Sequence, residues 1–193
     1  LRGLRKHMKS EAKLRNFEKA AILRNKISAL EHINDIALIR ERRKSSPTGF
    51  RIEAYDVAHI SGTNTVGAMV VMEDGVFAKH EYKRFKIRGH KNDDPGSLNE
   101  LLERRVKHTE WRTPDLVVTD GGNVQLDVAT KIVQHRMSDK IAIVSVLKDD
   151  KHKPLKILGE SAVVRDYHHD ILAINAEAHR FAIAYHRLLR GKL

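Results

Sequence analysis

The segment Arg51–His59, RIEAYDVAH, follows a Ser-Ser-Pro-Thr-Gly break and alternates with the period of two expected of a strand. Ile52, Ala54, Asp56 and Ala58 fall on one face, and Glu53, Tyr55 and Val57 on the other. Aspartate is depleted in strands and is seldom fully buried without a partner. Asp56 in mid-strand therefore calls for compensation, either a metal ion or a hydrogen-bond network. An edge-strand aspartate facing water, or one making a turn at a strand end, also satisfies the pattern. The rest of the chain has to discriminate between these readings.

Upstream, residues 1–44 read as two amphipathic helices. The first runs from about Leu1 to Leu14 with Leu1, Leu4, Met8 and Ala12 on one face, and the second carries Phe17, Ala20, Leu23, Ile27 and Leu30 at similar spacing. So short a hairpin buries little by itself, so its apolar faces need the main domain or a partner. The basic run Arg40–Lys44 and the Ser-Ser-Pro-Thr-Gly linker place domain boundaries at 1–44, 45–49 and 50–193.

Downstream, Thr65–Glu73 reads as a second strand, Asp74-Gly75 as a hairpin turn and Val76–Ile87 as a third strand, together a meander. Pro95 opens a helix to about Lys107. A short buried strand over residues 115–119, a helix over Val124–Val133, a strand over Ile141–Leu147 and a closing helix over Ile171–Leu189 complete the pattern. A meander followed by strand–helix alternation predicts an α/β fold, a mixed sheet with flanking helices, preceded here by a helical hairpin.

Composition excludes several classes. Cysteine is absent, so neither a disulfide framework nor a thiolate metal site can form. No apolar run approaches membrane-spanning length. The net charge of +11 points to a polyanionic partner, and it is unevenly spread: the first 49 residues hold 13 Lys/Arg against 5 Asp/Glu. The remainder is nearly balanced, as expected where carboxylates hold metals and cations meet phosphates.

Two further positions join Asp56. Asp120, in LVVTDGG, ends a buried strand, where open α/β sheets place their ligands, and the glycines after it permit close approach. A turn or capping aspartate reads the same way. His179, in EAHRF, lies beside the apolar stripe of the last helix and can reach the sheet; a boundary histidine without a role is the ordinary alternative in a chain with 12 of them.

Taken together, these motifs carry a family resemblance. The run EAKLRNFEKAAILRNKISALEHI resembles the UVR motif, the helical hairpin shared by the bacterial excinuclease subunits UvrB and UvrC. DVAH, TDGGNVQL and EAHRFAIAYHR, in that order and with Tyr82-Lys83-Arg84-Phe85 between the first two, resemble the C-terminal endonuclease domain of the UvrC family. The resemblance implies a ribonuclease H-like fold and a metal-dependent DNA endonuclease making the 5′ incision of nucleotide excision repair in the bacterial cytoplasm. It also implies double-stranded damaged DNA and, through the hairpin, UvrB as partners, with no membrane involved.

By motif match, Asp56 and Asp120 become metal-binding carboxylates and His179 the third catalytic residue, either as a ligand or as the group that orients water or transfers a proton. Two carboxylates at adjacent strand ends repel, and a divalent cation removes that penalty. Oxygen ligands favour Mg²⁺ or Mn²⁺, and a histidine tilts the choice toward Mn²⁺. His59, Gln125 and Glu177 are expected to support the site, and Lys83, Arg84, Lys148, Lys153 and Arg180 to contact DNA phosphates. The chain departs from the family pattern at Asn123-Val124, where Lys-Gly is usual, and at Val57-Ala58, where Ile-Ser is usual. It contains no GIY-YIG module for a 3′ incision and no helix–hairpin–helix module, so an excised piece or a reduced homologue is expected. A non-catalytic adaptor that binds UvrB or DNA is the competing reading.

Overall fold

In a computed structural model of the chain, residues 2–14, 16–27, 49–60, 64–89, 93–149 and 153–190 are described. The chain divides into two compact units, Leu1–Pro47 and Thr48–Leu193. The first holds α1 (Arg2–Lys13) and α2 (residues 17–27). Ile27 is buried, while Leu14, Phe17 and Ile22 are exposed. The rest of the expected second helix, Arg40–Lys44 and most of the linker lie outside the described residues.

The second unit is a seven-stranded mixed sheet flanked by helices. Its strands are β1 (Arg51–Ile60), β2 (Asn64–Glu73), β3 (Val76–Phe77), β4 (Lys83–Ile87), β5 (Leu116–Asp120), β6 (Ala142–Lys148) and β7 (Pro154–Gly159). The helices are α3 (Asp94–Val106), α4 (Asn123–Arg136), α5 (Ser161–Asp166) and α6 (His168–Arg190). β3 and β4 both pair with the outer edge of β2, and the sheet continues β2-β1-β5-β6-β7. β1 pairs antiparallel with β2 and parallel with β5, β5 parallel with β6, and β6 antiparallel with β7.

Alternation along β1 divides the core into two layers. Ile52 and Ala54, with Val70, Leu116, Val118 and Val144, meet Ile171, Ile174 and Ala178 of α6. Tyr55, with Met69, Val71 and Val117, meets Leu98, Leu101 and Leu102 of α3 and Ile132 and Val133 of α4. Gly67 on β2 is required by this packing, because a Cβ there would stand 2.2 Å from the Leu101 side chain.

Three expectations are revised. Val76–Ile87 is not one strand: after Phe77, Ala78 donates from its backbone to the Val71 carbonyl, and Lys79–Glu81 form a 3₁₀ turn before β4 begins. That excursion carries Glu81 to 2.7 Å from the Arg51 guanidinium, an ion pair that a continuous strand would not make. β7 was not anticipated, because its residues are mostly exposed at a sheet edge and show no apolar alternation. α5 escaped notice because six residues with none buried carry no periodic signal.

The α3 side of β1 encloses a charge cluster. Glu53 is fully buried and accepts hydrogen bonds from Arg51 Nε, Arg105 Nε and Nη2, and the Tyr55 hydroxyl at 2.6–3.0 Å. Arg51 also pairs with Glu73 and Glu81, and Arg112 with Glu73, so three arginines answer three glutamates. Arg105 extends the cluster into the chain, donating to the carbonyls of His108 and Arg112. Burial, with Glu53 beside it, pushes the Tyr55 hydroxyl pKa well above its ordinary value, so it donates rather than ionises. Replacing Glu53 by Ala would leave the buried Arg105 guanidinium without its carboxylate and Arg51 with Glu73 and Glu81 alone. The expected cost is about 3–5 kcal/mol, read as a shift of the urea midpoint; a variant of unchanged stability would deny the cluster any role in holding the fold.

Candidate active site

The parallel pairing of β1 with β5 sets Tyr55 opposite Thr119, so the next residues, Asp56 and Asp120, lie side by side. α6 crosses the same face and brings His179 to them. One ligand atom from each of the three lies within 4.8 Å of the other two. Asp56 is 5% exposed, whereas half of the His179 side chain meets solvent. Nδ1 of His179 stands 3.6 Å from Asp56 Oδ2, an ion-pair distance too long for a hydrogen bond. Lys148 Nζ donates to Asp120 Oδ2 at 2.6 Å.

Two carboxylate oxygens remain, Oδ2 of Asp56 and Oδ1 of Asp120, both buried and without a hydrogen-bond partner. An unsatisfied buried acceptor is costly, and two of them facing one another cost more. Burial raises the Asp56 pKa and the Asp120 charge adds to the rise, while the His179 contact opposes both. The same contact with Asp56 raises the pKa of His179. Two orphaned oxygens beside an imidazole nitrogen form a donor set that fits a hard or borderline divalent cation.

The Asp-Gly-Gly turn that presents Asp120 is held by its neighbours. Gly121 has φ +130°, donates to the Val146 carbonyl at 3.0 Å and accepts from the Ser145 hydroxyl at 2.9 Å. Gln125, in the first turn of α4, accepts from the Gly122 backbone N–H at 3.0 Å. Gln125 therefore supports the turn, and it lines the cleft together with Asp56 and Asp120. A cleft of about 290 Å³ opens beside the two aspartates, lined also by Lys148, Asp94 and Asp149.

The other expected residues scatter. Glu177 turns away from the aspartates, accepting from Arg180 at 2.6 and 2.7 Å and from the Tyr82 hydroxyl at 3.3 Å, and the Arg180 contact lowers its pKa. Arg180 is thereby engaged on its own helix. His59 lies on β1 opposite Thr65, and its side chain is outside the described residues. Lys148 sits within the site as the partner of Asp120. Lys153 is exposed just before β7. Lys83 stands over the Trp111 ring on the α3 side, while Arg84 points to the α6 side, over Phe181 and Tyr185. The Lys148–Asp120 bond was missed as a site feature because 28 residues separate the partners and only the β5–β6 pairing joins them.

A meander continued by parallel strands, with carboxylates on two neighbouring strands and a histidine from the covering helix, defines a ribonuclease H-like domain. The chain belongs to the UvrC family: residues 40–183 match the family model of the UvrC RNase H endonuclease domain. It is 35% identical over 181 residues to the UvrABC system protein C of Streptococcus equi subsp. zooepidemicus, covering 88% of this chain and 29% of that protein. With the UvrABC system protein C of Caldicellulosiruptor saccharolyticus it shares 34% over 192 residues, covering 95% of this chain and 31% of that protein. The chain thus spans about a third of the length of these relatives. Among solved structures, endonuclease V of Ciona intestinalis bound to an inosine-containing DNA is similar at 12% identity and a TM-score of 0.36, over 65% of this chain and 59% of that one.

A methyl group at Gly121 would meet the Gln125 side chain at 2.5 Å, at a φ that residues with a Cβ rarely adopt. Gly121→Ala is expected to cost about 1–3 kcal/mol, seen as a lower thermal midpoint. An unchanged midpoint would show that the turn tolerates a different backbone path.

Proposed function

We propose that the domain hydrolyses a phosphodiester bond of DNA and makes the 5′ incision of nucleotide excision repair, using a divalent cation held by Asp56, Asp120 and His179. The observation that carries this reading is the Asp56–Asp120–His179 group, whose ligand atoms lie within 4.8 Å of one another, together with a buried, unpartnered oxygen on each aspartate. Bound there, Mg²⁺ or Mn²⁺ would supply Lewis-acid polarisation of the phosphate and a lowered pKa for its water.

The chain's own groups divide the remaining work. Asp56, buried and carried by a central strand, gives a rigid ligand position. Lys148 binds one oxygen of Asp120 and leaves the other directed to the site. Asp56 favours a proton on the His179 ring and raises its pKa, and the half-exposed ring can exchange that proton with solvent. The cleft beside the aspartates leaves room for a phosphate and its water.

The hairpin of α1 and α2 is assigned to UvrB. The exposed Leu14, Phe17 and Ile22 support an apolar docking role. Similarity to UvrABC system proteins supports a bacterial cytoplasmic setting and damaged double-stranded DNA as substrate. No described helix is long and apolar enough to cross a membrane.

Nicking of supercoiled plasmid with Mg²⁺ or Mn²⁺ tests the proposal. Asp56→Asn and Asp120→Asn are expected to reduce nicking to background, and His179→Ala to slow it about 10²–10⁴-fold. A folded wild-type protein that fails to cut with either ion, alone and with UvrB on a lesion-bearing duplex, would leave the adaptor reading in its place.

A further inference from the structure

The sheet register extends the site's face sideways to a basic edge. Asp56 on β1 stands opposite Ala68 on β2, and Ala68 stands opposite Arg84 on β4. Directly opposed residues in antiparallel strands share a face, so Arg84 lies in the same row as Asp56, about 9.5 Å away across two strand spacings. Lys86 occupies the next row on that face, opposite Val66, which itself faces Ala58. β4 is the outer strand at this end of β2, and both side chains are exposed.

The five cations expected to meet phosphates are not equivalent in this frame. Lys148 is bonded to Asp120 and Arg180 to Glu177, while Lys83 faces the α3 side. Arg84 has no carboxylate partner among the described residues. Its guanidinium lies 4.7 Å over the Phe181 ring and 5.1 Å from that of Tyr185, so α6 orients the fork without neutralising it. Phe181 is two residues beyond His179 on α6, so the aromatic seat of Arg84 and the histidine of the site leave opposite sides of that helix. An open cleft of about 510 Å³ reaches Arg84, lined also by Tyr82, Lys83, Arg104 and Phe181; Lys86 lies outside its lining.

We propose that Arg84 and Lys86 form a phosphate-binding track along β4, on the far side of α6 from Asp56, that holds the backbone of the duplex DNA cut there. The direct path is closed, because Val66 and Ala68 of the intervening β2 are fully buried. The occupant is assigned on charge: two exposed cations with no carboxylate partner among the described residues stand in successive rows of an edge strand, an arrangement that suits a phosphodiester backbone. The proposal rests on the reading of Asp56, Asp120 and His179 as the cutting site.

Binding measured without cutting separates the two. Fluorescence anisotropy of a short labelled duplex, with the 193-residue chain in EDTA, gives Kd as a function of salt. For Arg84→Gln/Lys86→Gln the slope of log K against log [salt] is expected to become shallower by roughly 1.8, about 0.9 for each phosphate no longer neutralised. Lys131→Gln/Lys140→Gln removes the same charge from exposed positions on and just after α4, and is expected to leave the slope unchanged. Thermal melting checks the fold, and Lys86→Gln alone, which leaves the aromatic seat intact, is expected to show about half the change. An equal loss of slope in both double variants, or no loss in the Arg84/Lys86 variant, overturns the track, and so does a wild-type chain that does not bind duplex. Wild-type binding with the expected slopes but no metal-dependent nicking would keep the track and remove the cutting assignment.

Discussion

Everything in the larger unit depends on the alternation of β1. A strand with α6 on one face and α3 and α4 on the other leaves no solvent-facing side at its centre. Any polar residue there has to be compensated within the protein. β1 places an acid on each face: Glu53 toward α3 and Asp56 toward α6.

The two acids are treated differently, and the difference separates structure from chemistry. Glu53 receives hydrogen bonds from two arginines and a tyrosine, so its charge is spent inside the fold. Asp56 keeps an oxygen with no hydrogen-bond partner, and the imidazole nitrogen of His179 stands 3.6 Å from it. A buried carboxylate left unsatisfied is tolerated where an exchangeable partner can arrive. Asp120 is intermediate, with one oxygen tied to Lys148 and the other unpartnered. The arrangement lowers repulsion between the aspartates while keeping an opening between them.

Much of this was legible in the primary structure, for identifiable reasons. β1, β5 and β6 are short apolar or alternating runs bounded by Pro and Gly, and α6 carries a long apolar stripe, so their existence and order follow from local pattern. Asp56, Asp120 and His179 stand out because each interrupts such a pattern or borders it. The break between β3 and β4 was hidden because Val76–Ile87 has strand-like residues throughout, and only the pull of Arg51 on Glu81 explains the excursion. β7 and α5 were hidden because edge strands and single-turn helices bury too little to leave a hydrophobic signature. Among the basic residues, composition marked five as equals, and sequence spacing had no means of ranking them.

The succession of the main elements along the chain and the two faces of β1 were determined by the sequence itself, because a period of two and a helical stripe are local properties of the chain; the grouping of Asp56, Asp120 and His179 came from the family resemblance. The tertiary structure alone decided which charges are neutralised. Lys148 meets Asp120, Arg105 meets Glu53 and Arg180 meets Glu177, while Arg84 keeps its charge over aromatic rings. Ion pairing depends on distances of a few ångströms between side chains, and for Lys148 and Arg105 those distances are set by strand register and helix packing across tens of residues. Even Arg180, three residues from its partner, is distinguished from the other cations only by the rotamers that the helix face allows.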